Sequence, residues 1–160
     1  MLNVGTVSRW APLPLRLIVG YGFLVHGFAK LSRGPDMFAA ILHTIGIPLP
    51  LAFAWLTTLV ELIGGAAILA GAFVTLASLP MGVVLMTALF TVHLPYGFSS
   101  VRLLDVTATG AHFGPVGYEV TLLYLAALAA LVAGGAGPLS IDEWRRAARR
   151  RRITCESRRG

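Results

Sequence analysis

The chain has 160 residues, of which 56% are apolar and 12% charged, against about 25% charged in an average soluble domain. Mean hydropathy is +0.78 and the sequence pI about 10.5, with a formal net charge of +6. This excludes an ordinary soluble enzyme and a disordered chain. The lone cysteine, Cys155, excludes an intrachain disulfide, a CxxC redox pair and a cysteine-based metal site.

The charge is unevenly placed. Residues 142–160 hold eight of the 13 basic residues and three acids, so this tail carries +5 and residues 1–141 carry +1. Three stretches hold no Asp, Glu, Lys or Arg: Met37–Val60, Leu62–Val101 and Val120–Ile141. About 18–20 apolar residues suffice to cross a bilayer, so the pattern predicts a polytopic membrane protein. We read the fold class as all-α: a membrane four-helix bundle over residues 1–141, followed by a basic tail over 142–160.

The first span is expected over about 14–31. Pro12, Pro14 and Arg16 interrupt the apolar run behind the N-terminus, which argues against a cleaved signal peptide. Arg16 and Lys30 flank a short charge-free centre, and both are expected to snorkel to the interfaces. Ser32-Arg33-Gly34-Pro35 breaks the helix. A short apolar piece from Asp36 to Ile45 is too brief to cross, so an interfacial or re-entrant helix is expected there. Two spans follow, over about 51–71 and 75–94, with a tight turn near Gly71–Thr75 and Pro80 inside the second. Pro95-Tyr96-Gly97 ends it. Residues 98–116 read as a mixed loop, and the fourth span runs over about 117–134.

Four spans place both termini on one side. The eight tail arginines put that side in the cytoplasm by the positive-inside rule, with 31–50 and 95–116 facing outward. Trp144, Arg145, Arg146, Arg149 and Arg150 read as an interfacial anchor on anionic lipid. No aromatic residues are interleaved with these arginines to stack bases, so nucleic acid is not expected as a partner.

Ionisable groups inside spans are costly and usually face other helices or a cavity. Glu61 stands in the second span on a small, polar face with Ala54, Thr57, Thr58, Gly64 and Gly65, which should pack against another helix. It reads either as a proton-exchanging carboxylate or as a structural one paired with a base. His26 and Lys30 share one face of the first span and could meet Glu61. Lys30, His93 and Glu119 are expected near the outer mouth, with His26 and Glu61 deeper. Such a cluster could hold a polar head group and pass protons. The four histidines lack a tight ligand spacing, so no metal site is expected. Haem would require His26 and His93 from two helices.

Five segments in order resemble the DoxX family of small four-helix membrane proteins. They are RLIVGYGFLVHGFAKL (Arg16–Leu31), IGIPLPLAFAWLTTLVELIGG (Ile45–Gly65), HLPYGF (His93–Phe98), GYE (Gly117–Glu119) and GAGPLSID (Gly135–Asp142). The basic residue many members carry between spans two and three is replaced here by Val74-Thr75, and the arginine run is not a family feature. The resemblance implies a bacterial inner-membrane protein linked to quinone-dependent sulfur or thiol redox chemistry or oxidative-stress defence, often through partner proteins. It carries over His26, Lys30, Glu61, His93 and Glu119. Under that reading Glu61 and His26 exchange protons, as the catalytic pair. Lys30, His93 and Glu119 bind an oxygen-bearing head group, with quinone as the cofactor class. Electrons then come from a bound cofactor or a soluble redox partner. Two other readings stay open: a non-catalytic scaffold that recruits a soluble redox enzyme, and a small-solute transporter or channel built as a homo-oligomer.

Overall fold

The structure, a computed structural model, describes residues 8–157, with side chains described as far as Arg151. Among the described residues six α-helices run in chain order: α1 Pro12–Arg33, α2 Pro35–Thr44, α3 Pro50–Ala70, α4 Val74–Ala88, α5 Glu119–Gly134 and α6 Ile141–Ser157. A π-helical turn, Leu89–His93, and a 3-10 turn, Leu94–Tyr96, extend α4. Among the described residues three helical stretches are long and apolar enough to cross a membrane: Ser8–Arg33, Pro50–Ala70 and Val74–Tyr96. The fourth apolar helix, α5, has 16 residues, about 24 Å at 1.5 Å per residue.

The helix boundaries follow local chemistry. Pro12, Pro35 and Pro50 each stand in a first turn, where no backbone donor is lost. Gly34 and Gly71 end α1 and α3 with positive φ. The short α2 lies where an interfacial or re-entrant helix was expected. It packs on α3 through Ala39 and Leu42 against Ala54.

α1 packs against α3, α3 against α4, α4 against α5, and α5 against α1. The shared core takes Val19 and Phe23 from α1, Ile68 from α3, Val74 and Met81 from α4, and Leu128 and Leu131 from α5. The expected inner face of α3 is the one observed, with Ala54, Thr58, Glu61, Gly64, Gly65 and Ile68 buried. Glycine sets the α1–α3 spacing. A Cβ on Gly20 would come 2.8 Å from the Gly65 carbonyl, and one on Gly65 would come 2.8 Å from the Gly20 carbonyl.

Two expectations are corrected. The loop over 98–116 contains an antiparallel hairpin, β1 Leu103–Thr107 and β2 Gly110–Phe113, so the described fold is helical with one two-stranded sheet. The alternation through Leu104-Asp105-Val106-Thr107 was a strand signal, too short to stand out beside the long apolar runs.

Arg16 does not snorkel: it is 2% exposed. Its Nε donates to the Ile68 carbonyl at 3.1 Å, Nη1 to those of Ala136 (2.8 Å) and Pro138 (3.1 Å), and Nη2 to those of Leu69 (2.8 Å) and Leu139 (3.1 Å). A guanidinium has five N–H donors, and all five carbonyls lie in reach because α3 ends there and the 135–139 loop wraps around the fork. Asp142 completes this clasp. Its carboxylate accepts from the amides of Phe73 (2.9 Å) and Val74 (3.1 Å) at the start of α4, and its own amide donates to Gly71 O at 3.0 Å. Phe73 and Leu139 hold positive φ, 50° and 54°, a conformation unfavourable for bulky residues and kept only when surroundings over-determine it.

Candidate functional site

The charged centre of the helical body is an ion pair. Lys30, in the last turn of α1, places Nζ 2.7 Å from Glu61 Oε1, midway along α3. The side chains are 19% and 7% exposed. The expectation that Lys30 snorkels outward is therefore corrected: its ammonium turns inward to the Glu61 carboxylate. Gly27, one turn before, makes the approach possible: a Cβ there would meet Leu62 Cγ at 2.9 Å and Glu61 Cβ at 3.1 Å. Lys30 Nζ also stands 4.3 Å from the centre of the Phe38 ring on α2, a cation–π contact.

Glu61 is only half satisfied. Oε1 takes the ammonium, while Oε2 is buried with no hydrogen-bond partner among the described residues. Thr58, one turn earlier and fully buried, spends its hydroxyl on the Ala54 carbonyl at 2.7 Å. A buried carboxylate oxygen without a donor is unfavourable in a packed interior. A donor group placed beside Oε2 would satisfy it.

The other expected site residues divide. His26 shares its helix face with Lys30 but is exposed. His93 ends the π-helical turn, and its Nδ1 donates to the Val116 carbonyl at 3.1 Å. Glu119 opens α5, and its Oε2 accepts from the Ser100 amide at 3.0 Å. Thus the structure joins Lys30 to Glu61. It uses His93 and Glu119 to tie down the segment between α4 and α5, with no hydrogen bond or ion pair from either to Lys30 among the described residues. No group of three His, Cys, Asp or Glu comes together as a metal site among the described residues.

At the opposite end, Trp144, Arg145, Arg146 and Arg149 are exposed on α6, and Arg145 lies over the Phe73 ring at 4.5 Å. Arg150 is exposed as well. Arg9 pairs with Glu143. The side chains of Arg152 and Cys155, together with Arg158 and Arg159, lie outside the described residues. Arg16 is the functional-looking residue that sequence reasoning misplaced. Its partners are main-chain carbonyls, which leave no trace in side-chain patterning.

The family model for DoxX matches residues 11–94, from the start of α1 to the turn after His93. The chain belongs to the DoxX family. The matched region contains His26, Lys30, Glu61 and His93, so the buried ion pair lies wholly inside the DoxX portion. Glu119, the hairpin and the Arg16-binding loop 135–139 lie beyond it. No curated protein and no solved structure matches the chain.

Proposed function

We propose that this DoxX protein is the membrane component of an oxidoreductase system, in which the Lys30–Glu61 pair handles protons and receives an oxygen-bearing head group. The observation that carries this reading is the buried Glu61 carboxylate with one oxygen on Lys30 and the other unpartnered. Ionisable groups at membrane depth are retained mainly where they line substrate or proton pathways. A quinone carbonyl would accept from the Lys30 ammonium donors beyond the one given to Glu61, and a quinol hydroxyl would donate to Glu61 Oε2. Reducing a quinone to its quinol consumes two electrons and two protons. In this scheme the electrons would arrive from a redox partner protein, and the two protons would come from bulk water, relayed through Glu61 and His26. His93 and Glu119 hold the surrounding segment in place.

The same reading makes α5 the fourth span, completing a four-helix bundle, with residues flanking its 16 contributing to the crossing. It places the protein in a bacterial inner membrane with both termini cytoplasmic, where the α6 arginines meet anionic lipid, each worth about 1 kcal/mol near the surface. Neither the scaffold reading nor the transporter reading predicts that Glu61→Gln lowers quinone reduction, so one experiment separates both from this one. Membranes carrying the wild type and Glu61→Gln at matched protein levels are assayed for quinone reduction, and gently purified protein is examined by absorption spectroscopy and mass spectrometry. The expected result is a loss of at least tenfold in the variant and a bound quinone or redox partner in the wild type. Unchanged quinone reduction, with no quinone, flavin or haem in the purified protein, would overturn the reading.

A further inference from the structure

The hairpin between α4 and α5 has two chemically different faces. In the observed register Asp105 opposes His112, and Thr107 opposes Gly110. Side chains alternate along a strand, so Asp105, Thr107 and His112 share one face, and Asp105 Oδ1 lies 2.9 Å from His112 Nδ1 on it. Val106 opposes Ala111 on the other face, and Leu103 opposes Phe113. The irregularity between Leu103 and Asp105 inserts Leu104, so two leucines stand opposite Phe113 instead of one. A bulge of this kind re-aims side chains locally. The result is an apolar face, with Leu104 60%, Val106 71% and Phe113 60% exposed. No other described element covers it.

The root of the hairpin is rigid. Its two connecting segments are zipped together down to the helix ends: Gly114 N to Arg102 O at 2.8 Å, Gly117 N to Ser99 O at 3.1 Å, Tyr118 N to Gly97 O and Glu119 N to Phe98 O, both at 3.0 Å. Phe98 and Tyr118 stack edge to face there, with ring centres 5.6 Å apart. Aromatic side chains of this kind concentrate at headgroup depth. The hairpin is thus tied by main-chain hydrogen bonds to the point where α4 and α5 leave the apolar region.

We infer that the β1–β2 hairpin lies on the bilayer surface at the α4–α5 end, with Leu103, Leu104, Val106 and Phe113 in the acyl–headgroup boundary and Asp105, Thr107 and His112 in water. Three observations choose lipid as the occupant. The hairpin follows on Val74–Tyr96, a stretch long and apolar enough to cross a membrane; the aromatic pair marks its root; and Arg102, beside the first strand, is exposed as a residue meeting lipid phosphate would be. Such a hairpin would cap the end of the helical body where Lys30 lies.

Site-directed spin labelling tests this with the full chain in phospholipid vesicles. In a Cys155→Ser background, single cysteines are introduced as Val106→Cys, Ala111→Cys, Thr107→Cys and Thr109→Cys, and collision rates with oxygen and with a water-soluble nickel complex are compared. The expected result is a several-fold higher oxygen-to-nickel ratio at 106 and 111 than at 107 and 109. Equal, nickel-accessible labels at all four positions would overturn the inference by placing the hairpin in water. Labels at 106 and 111 shielded from both reagents would overturn it in favour of a protein partner, and spin–spin broadening would identify a second copy of the chain.

Discussion

Arg16 and Lys30 sit on the same helix and were expected to behave alike, yet their burial serves different ends. Arg16 gives all five donors to five backbone carbonyls and leaves nothing for a ligand. Lysine has three donors and no planar fork, so Arg16→Lys takes the side-chain donor from at least two of the five carbonyls. The expected loss is about 2–6 kcal/mol at 1–3 kcal/mol per buried group that loses its donor, read as a lower unfolding midpoint in detergent. Lys30 and Glu61, by contrast, make one contact and leave Glu61 Oε2 open. Lys30→Ala strands the carboxylate and is expected to destabilise the fold by about 3–5 kcal/mol, as breaking one side of a buried pair does.

At the scale of elements, close helix approach and terminal capping carry the architecture. Gly20 lies where any side chain would press on the α3 backbone, whereas nothing lies within 4 Å of a Cβ built on Gly82 in α4. Gly20→Ala is therefore expected to cost about 1–3 kcal/mol through overpacking. Gly82→Ala should be neutral or gain up to about 1 kcal/mol from helix propensity. Thermal unfolding of the two variants side by side checks the contrast. Asp142→Ala removes both amide caps at the start of α4, with an expected loss of about 1–2 kcal/mol. The helices themselves were legible in the sequence, because long charge-free runs, first-turn prolines and the small face around Glu61 are local signals. The clasp was not: Arg16 and the Ala136 carbonyl are 120 positions apart, and a carbonyl acceptor is common to every residue type. The hairpin was half legible, through a short alternation that only the paired register turns into two faces.

Across the whole molecule the two ends are chemically distinct. One holds the Arg16–Asp142 clasp, the Arg9–Glu143 pair and α6. The other holds the hairpin root, α2 and the inward-turned Lys30. The distribution of charge along the sequence separates a nearly neutral body from a +5 tail; what the fold adds is that two charges of that body meet inside it. Of the candidate site, the Lys30–Glu61 pairing was foreseeable from helix faces. The outward placement of His26 and the separate duties of His93 and Glu119 depend on how helices rotate against one another, which spacing along one chain does not specify. The most direct test replaces both charges at once, as Lys30→Met with Glu61→Met, and measures unfolding midpoint and quinone reduction on the same preparation. Exchanging a buried ion pair for apolar residues of similar volume is often neutral or stabilising. The account therefore predicts a folded protein with an unchanged or higher midpoint and at least tenfold less quinone reduction. A folded double variant that retains full quinone reduction would contradict it and leave Lys30–Glu61 as packing alone.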